Sequence, residues 1–241
     1  MINKDVLILE NKLIAKNTYL MDLAVDLRGL RGEFIELLVK GFSLRRPISI
    51  CEKGETTKII YRVVGDGTKD MSLLKKGDYI NILGPLGNEF PLLDGNDLLI
   101  IGGGVGIPPL YDLAKRARLN NKNVTALLGF NTKDEVFYDE EFKALGVKTY
   151  ISTMDGSYGF KGNAIELFKS LNLANSLVYA CGPKPLLMAI ENNFKEGYIS
   201  FESRMACGFG ICNACQIMTK NGPKKICKDG PVFRVGEIIY E

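Results

Sequence analysis

The chain has 241 residues, 46% of them hydrophobic and 24% charged, the balance of a soluble globular protein long enough to bury roughly 70–75% of its unfolded surface. A formal charge of only +3, with Lys and Arg spread along the chain, gives no footprint for nucleic acid, and the longest apolar stretch, Leu98 to Leu110, is broken by glycine and proline and too short to span a bilayer. The absence of histidine excludes a Ser-His-Asp triad, His-ligated zinc, a Rieske centre and His-ligated haem, leaving acid–base work to carboxylates, lysines, tyrosines or cysteines.

Met1-Ile-Asn-Lys-Asp runs straight into an alternating segment and lacks the apolar core of a signal peptide, so a cytoplasmic address is expected. The first ninety-odd residues read as β structure. Tyr19, Met21, Leu23 and Val25 alternate with Leu20, Asp22, Ala24 and Asp26, and Phe34 to Val39, Pro47 to Cys51, Lys58 to Val64 and Tyr79 to Leu83 are short runs rich in β-branched and aromatic residues. Turns separate them at barrel-like spacing. A short helix fits Lys69 to Lys76, with Thr68 as N-cap and Gly77 just past its end.

Near Asn96 the rhythm changes to alternating β and α. Leu98 to Gly102, Val124 to Gly129, Val147 to Ser152 and Leu177 to Cys181 read as strands. Ile107 to Leu119, Asp139 to Leu145, Asn163 to Leu171 and Lys184 to Lys195 read as helices. That alternation predicts a parallel sheet with helices on both faces. The last forty residues revert to short extended pieces. The expected division is an antiparallel β-barrel domain over 1–95, a parallel-sheet α/β domain over 96–200 and a small C-terminal subdomain over 201–241.

Six cysteines with no secretory signal argue against a disulfide framework. Four of them form Cys207-x4-Cys212-x2-Cys215-x11-Cys227. A spacing of four, then two, then a distant fourth cysteine is that of plant-type [2Fe–2S] centres. Gly208 and Gly210 let the backbone pass close and aim N–H groups at sulfur, while Phe209 and Ile211 can shield the centre. The alternative is a structural zinc site of four cysteines, although zinc sites usually pair two Cys-x2-Cys knuckles and the second is missing here.

Leu44-Arg-Arg-Pro-Ile-Ser49 puts a guanidinium and a hydroxyl three residues apart on a strand, which alone is an ordinary strand entrance. Ile60-Tyr61-Arg62 adds a second cation, and Gly65-Asp-Gly67-Thr68 opens a helix whose N-terminus suits an anion. Together these can hold a dinucleotide pyrophosphate. Gly102-Gly103-Gly104-Val105-Gly106 lies between a strand and a helix but does not fit G-x-G-x-x-G, which disfavours an ordinary Rossmann dehydrogenase. It reads either as a nucleotide-binding turn or as a tight strand–helix connection. Cys181-Gly182-Pro183 closes a strand at the same end of the sheet, where open α/β sheets bind ligands.

Arg46-Pro-Ile-Ser49, Gly102 to Pro109 and Cys181-Gly-Pro183 resemble the flavin and pyridine-nucleotide motifs of the ferredoxin–NADP reductase superfamily. Cys207-Gly-Phe-Gly-Ile-Cys-Asn-Ala-Cys215 with Cys227-Lys-Asp-Gly-Pro-Val-Phe233 narrows this, and the chain resembles, end to end, the electron-transfer subunits of class B dihydroorotate dehydrogenase. The resemblance implies FAD at Arg46, Pro47, Ile48, Ser49, Ile60, Tyr61, Arg62, Gly67 and Thr68. It implies NAD at Gly102, Gly103, Gly104, Gly106, Cys181, Gly182 and Pro183, and a [2Fe–2S] cluster on Cys207, Cys212, Cys215 and Cys227. It also implies an FMN-containing catalytic partner subunit in a two-plus-two heterotetramer, an electron path from that FMN through the cluster and FAD to NAD, and a place in pyrimidine biosynthesis. Ile48 stands where the wider superfamily often has a flavin-stacking tyrosine. No side chain is assigned as a catalytic acid, base or nucleophile. The neighbouring reading is a reductase subunit of another complex of the superfamily, serving a sulfide dehydrogenase, hydrogenase or transhydrogenase; a different class is a zinc-stabilised nucleotide-binding module. The segment Gly129 to Glu135 offers no arginine for a 2′-phosphate, which favours NAD over NADP.

Overall fold

A computed structural model of the chain describes residues 1–93, 95, 97–173 and 177–240. Contacts divide it into two compact units, Met1–Glu89 with Ser203–Pro231, and Phe90–Glu202 with Val232–Glu241. The units cut across the three sequence segments, because residues 203–231 group with the barrel and residues after 231 with the parallel sheet. The expected boundary at Asn96 falls outside the described residues.

In the first unit, β1 (Ile2–Ala15), β2 (Thr18–Leu23), β3 (Phe34–Leu38), β4 (Arg46–Lys53), β5 (Thr57–Arg62) and β6 (Tyr79–Leu86) form a closed barrel in the order β1-β2-β5-β4-β3-β6. Strand β1 closes it: Ile2 to Leu7 pair antiparallel with β6, and Ile8 to Ala15 pair with β2 through a shifted register. Alternation delivers Val6, Ile8, Met21, Leu23, Ile35 and Leu37 to the apolar interior.

The predicted helix at Lys69–Lys76 is displaced. Helix α1 (Asp66–Leu73) starts from Gly65, and Thr68 is its third residue rather than its cap. The Thr68 hydroxyl accepts the N–H groups of Val64 and Gly65 at 2.9 and 3.2 Å, so it ties down the entrance from inside the first turn. Gly77, at φ +98°, belongs to a later turn, where the Asp78 carboxylate accepts the Lys75 N–H at 2.7 Å.

In the second unit, β7 (Asp97–Gly103), α2 (Ile107–Leu119), β8 (Asn123–Phe130), α3 (Asp139–Ala144), β9 (Lys148–Thr153), β10 (Phe160–Lys161), α4 (Ala164–Ser170), β11 (Val178–Cys181), α5 (Lys184–Asn193) and β12 (Gly197–Ser200) follow in turn. The sheet order is β10-β9-β8-β7-β11-β12, extended by an antiparallel strand late in the chain, β15 (Val232–Arg234). Strands β7, β8, β9, β11 and β12 are parallel, as the alternation predicted. Chain order reverses between β7 and β11, and right-handed crossovers therefore put α2 and α5 on opposite faces. Between β12 and β15, in the first unit, lie the hairpin β13 (Gln216–Thr219) and β14 (Gly222–Lys225) and the short α6 (Ile226–Asp229). No helix among the described residues is long and apolar enough to cross a membrane.

Helix α4 has a complete N-terminal box: the Asn163 side chain accepts from Ile165 and Glu166 N–H at 2.9 Å, and Glu166 accepts the Asn163 N–H at 2.8 Å. Asn163→Ala should cost about 1 kcal/mol and Asn163→Asp much less. Denaturant unfolding checks this, and equal loss in the two variants would show that the cap is not what matters there.

Candidate functional site

The four clustered cysteines lie in the first unit, on the loop before β13 and on α6 after the β13–β14 hairpin. They meet as two pairs. Cys207 and Cys212 Sγ are 3.3 Å apart, and Cys215 and Cys227 Sγ are 3.3 Å apart. All four are free thiols. Two sulfurs bound to one tetrahedral metal at about 2.3 Å lie about 3.8 Å from each other, so each pair has close to the spacing of two ligands on a shared metal. Two separate pairs suit a two-iron centre better than a cage of four sulfurs around one zinc. Among the described residues no three potential metal ligands converge on a single point.

The pairs differ in environment. Cys215 and Cys227 are buried, while Cys207 and Cys212 are half-exposed. Burial and the Cys215 thiol push Cys227 up to about 12. Burial also works to raise Cys207, but the N–H groups of Cys212, Phe209 and Ile211 and the Cys212 thiol outweigh it and bring Cys207 down to about 6. The Cys212 N–H stands 3.4 Å from the Cys207 sulfur. Gly208 and Gly210, at φ +75° and +90°, allow this wrap of backbone round sulfur. Phe209 and Ile211, the residues the sequence offers as a shield, are 44% and 76% exposed in this chain.

One residue of this region carried no signal in the sequence. Glu36 looks like an ordinary outward-facing acid on a strand, yet it is 1% exposed. A Cβ added to Gly208 would overlap its carboxyl, which places Glu36 directly under the cysteine loop. Neither carboxyl oxygen has a hydrogen-bond partner among the described residues. Burial raises its pKa to about 7, opposed by the Arg45 guanidinium and reinforced by Cys207. The Arg45 side chain is itself committed to the Glu36 carbonyl and to Asn81, at 3.3 and 2.7 Å.

Elsewhere in the first unit, β4 carries Arg46, Pro47, Ile48 and Ser49, paired with β3. The Arg46 guanidinium lies 4.6 Å over the Phe42 ring and against Gly67, where a Cβ would overlap it. Arg46, Gly67 and Thr68 are thereby brought to one place at the start of α1. Ile60 and Tyr61 on β5 are buried, and Tyr61 donates its hydroxyl to Asn11 at 3.0 Å and stacks on Tyr19 at 5.7 Å. The Tyr61 side chain is thus a core element. Arg62 follows at the end of the strand.

In the second unit, the glycine run leaves the end of β7 and Cys181-Gly182-Pro183 leaves the end of β11, with Cys181 in register with Gly102. These are the carboxyl ends of the two strands flanking the reversal of strand order, the crevice in which open α/β sheets bind ligands. The two turns touch: a Cβ at Gly106 would lie 2.5 Å from the Cys181–Gly182 backbone, and one at Gly103 would lie 3.1 Å from the Pro183 ring. Pro108 and Pro109 then fit the first turn of α2, whose N–H groups need no intrahelical partner. Cys181 is fully buried and has no exposed thiol to offer.

A barrel unit bearing an arginine-and-serine strand, a parallel sheet with glycine turns at its switch point, and two sulfur pairs define an iron–sulfur oxidoreductase of ferredoxin–NADP reductase architecture. Comparison with known proteins agrees. Residues 202–239 match the iron–sulfur cluster binding domain of dihydroorotate dehydrogenase B, and residues 100–192 match the oxidoreductase NAD-binding domain. The dihydroorotate dehydrogenase B (NAD(+)) electron transfer subunit of Bacillus cereus (strain B4264) is 41% identical, with 98% of each chain covered. The protein of that name from Fusobacterium nucleatum subsp. nucleatum is 44% identical over 99% of each. The NADH-dependent reduced ferredoxin–NADP oxidoreductase, a structure concerned with flavin-based electron bifurcation, superposes with a TM-score of 0.89 at 28% identity, covering 98% of this chain and 90% of that one. The chain belongs to the family of dihydroorotate dehydrogenase B (NAD+) electron-transfer subunits.

The Glu36 carboxyl yields a pH prediction. Its folded pKa, about 7, stands above the ordinary 4.5, so folding disfavours its ionisation and the parent loses stability as pH rises from about 4.5 to about 7. Glu36→Gln removes that dependence. Its melting temperature should gain on the parent's between pH 4.5 and 7.5, and a constant gap across that range would contradict the assignment.

Proposed function

We propose that the chain accepts electrons from an FMN-containing dihydroorotate dehydrogenase catalytic subunit, in a complex of two copies of each, and delivers them to NAD. The observation that carries this reading is the pairing of Cys207 with Cys212 and of Cys215 with Cys227, a donor set of four thiols whose chemistry suits a [2Fe–2S] cluster. When bound, the cluster passes electrons singly and a flavin stores one or two, so together they supply the conversion between one-electron transfer and hydride transfer to nicotinamide.

The residues of the chain have binding and positioning roles. Arg46, with the start of α1 at Gly67 and Thr68, holds the FAD pyrophosphate, and Arg62 adds a second cation. Pro47, Ile48 and Ser49 present the strand edge to the flavin, with Ser49 orienting the ring; Ile60 and Tyr61 contribute main chain. Gly102, Gly103, Gly104 and Gly106 let NAD approach the backbone of the β7–α2 turn, beside Cys181, Gly182 and Pro183. No side chain acts as nucleophile, general acid or base.

A reductase subunit of another complex is favoured by one observation, the full-length likeness to the bifurcating oxidoreductase, at lower identity than the dihydroorotate relatives. Dihydroorotate-dependent NAD reduction by the chain combined with its catalytic subunit separates the two. The account predicts turnover with NAD much faster than with NADP, and no reduction of either nucleotide with dihydroorotate as donor would overturn it. Cys227→Ser should abolish the iron–sulfur absorption while leaving bound FAD, and a variant with unchanged iron and sulfide would remove Cys227 from the ligand set.

A further inference from the structure

Lys225 ends β14, two residues before Cys227, and its main chain is fixed twice. It pairs with Gln216 across the hairpin, and its N–H donates to the Asp229 carboxylate at 2.7 Å. Its side chain does not leave for solvent. The ammonium reaches the cysteine loop and donates to the carbonyl of Gly210 at 2.7 Å and to that of Ile211 at 3.3 Å.

Those two carbonyls belong to particular peptides. In a planar trans peptide the C=O and N–H point in opposite directions. The peptide that begins with the Gly210 carbonyl ends with the Ile211 N–H, and the one that begins with the Ile211 carbonyl ends with the Cys212 N–H. Both N–H groups act on the sulfur of Cys207, the Cys212 N–H from 3.4 Å. The ammonium and the sulfur therefore sit at opposite ends of the same two peptide dipoles. Hydrogen bonds in series polarise one another, so a cation on the carbonyl end strengthens the donation from the N–H end. The Lys228 side chain packs against Gly210, where a Cβ would fall 2.8 Å from its Cδ.

We propose that Lys225 is a positioning residue of the iron–sulfur site: it holds the Gly210–Ile211 and Ile211–Cys212 peptides with their N–H groups on Cys207 and thereby raises the reduction potential of the centre bound there. Hydrogen bonds to sulfur are among the determinants of such potentials, because they stabilise the extra negative charge of the reduced state. The cation adds to this in the same direction. The inference rests on Cys207 being a cluster ligand.

The test is a redox titration of the complex with its catalytic subunit, followed by electron paramagnetic resonance, on the parent and on Lys225→Arg, Lys225→Gln and Lys225→Met. Iron and sulfide are counted on every sample. With the cluster retained, Lys225→Met should shift its one-electron reduction equilibrium about tenfold toward the oxidised form, about 59 mV more negative. Lys225→Gln should fall between, and Lys225→Arg should stay within about twofold of the parent. A Lys225→Met potential equal to the parent's, or an Arg shift equal to the Met shift, would overturn the proposal. Should Lys225→Met hold no cluster, the Arg and Gln variants decide: a lowered potential in Gln alone supports the role, and an unshifted Gln removes it. A parent lacking iron and sulfide would refute the reading of the four cysteines and, with it, the role of the lysine, whereas a loaded parent with an unshifted Lys225→Met refutes the role of the lysine alone.

Discussion

Two pairs of cysteine sulfurs, each 3.3 Å apart, dominate the chemistry of this chain. Thiolates that close repel one another, and thiols in the same place bury polar groups to no benefit; a cationic metal centre resolves both problems. Within the two pairs the thiols have opposed tendencies. Cys227 is driven up by burial and its neighbour, whereas Cys207 is driven down by the backbone N–H groups turned on it. Much of the surrounding structure serves that arrangement. Glycines at positive φ fold the loop tightly, the β13–β14 hairpin returns Cys227 to Cys215, and β3 of the barrel supports the loop through Glu36.

The second unit answers a different demand. A nucleotide has to approach a backbone closely, and side chains obstruct it. The glycine run after β7 and the Cys-Gly-Pro turn after β11 meet at the one place where strand order reverses. Their contact is so close that a Cβ at Gly106 has no room. The glycines there pack between the two turns, and the proposed binding of NAD would add a second constraint, access from outside.

Much of this is legible in the sequence. The barrel strands, the parallel sheet and the helices α2 to α5 follow from period-two and helical apolar patterns, and the cysteine spacing identifies the kind of centre. What the pattern misses has identifiable causes. It sets helix α1 too late because Thr68 has the chemistry of a cap, whereas Gly65 supplies the extended cap residue and Thr68 ties it from within. Strands β10, β12 and β15 are two to four residues long, too short for any period to declare itself. The role of Glu36 depends on a loop far along the chain, and the reach of Lys225 to two carbonyls depends on the hairpin register. The division of the cysteines into pairs is likewise a property of the fold and not of their spacing.

The central claim is that this chain carries both the flavin and the iron–sulfur centre needed to join single-electron transfer to NAD. It is tested most directly by an anaerobic visible spectrum of the purified protein with iron, acid-labile sulfide and flavin counted on the same sample. The account predicts one FAD with two irons and two sulfides per chain. Zinc with neither flavin nor labile sulfide would contradict it and leave a zinc-stabilised nucleotide-binding protein in its place.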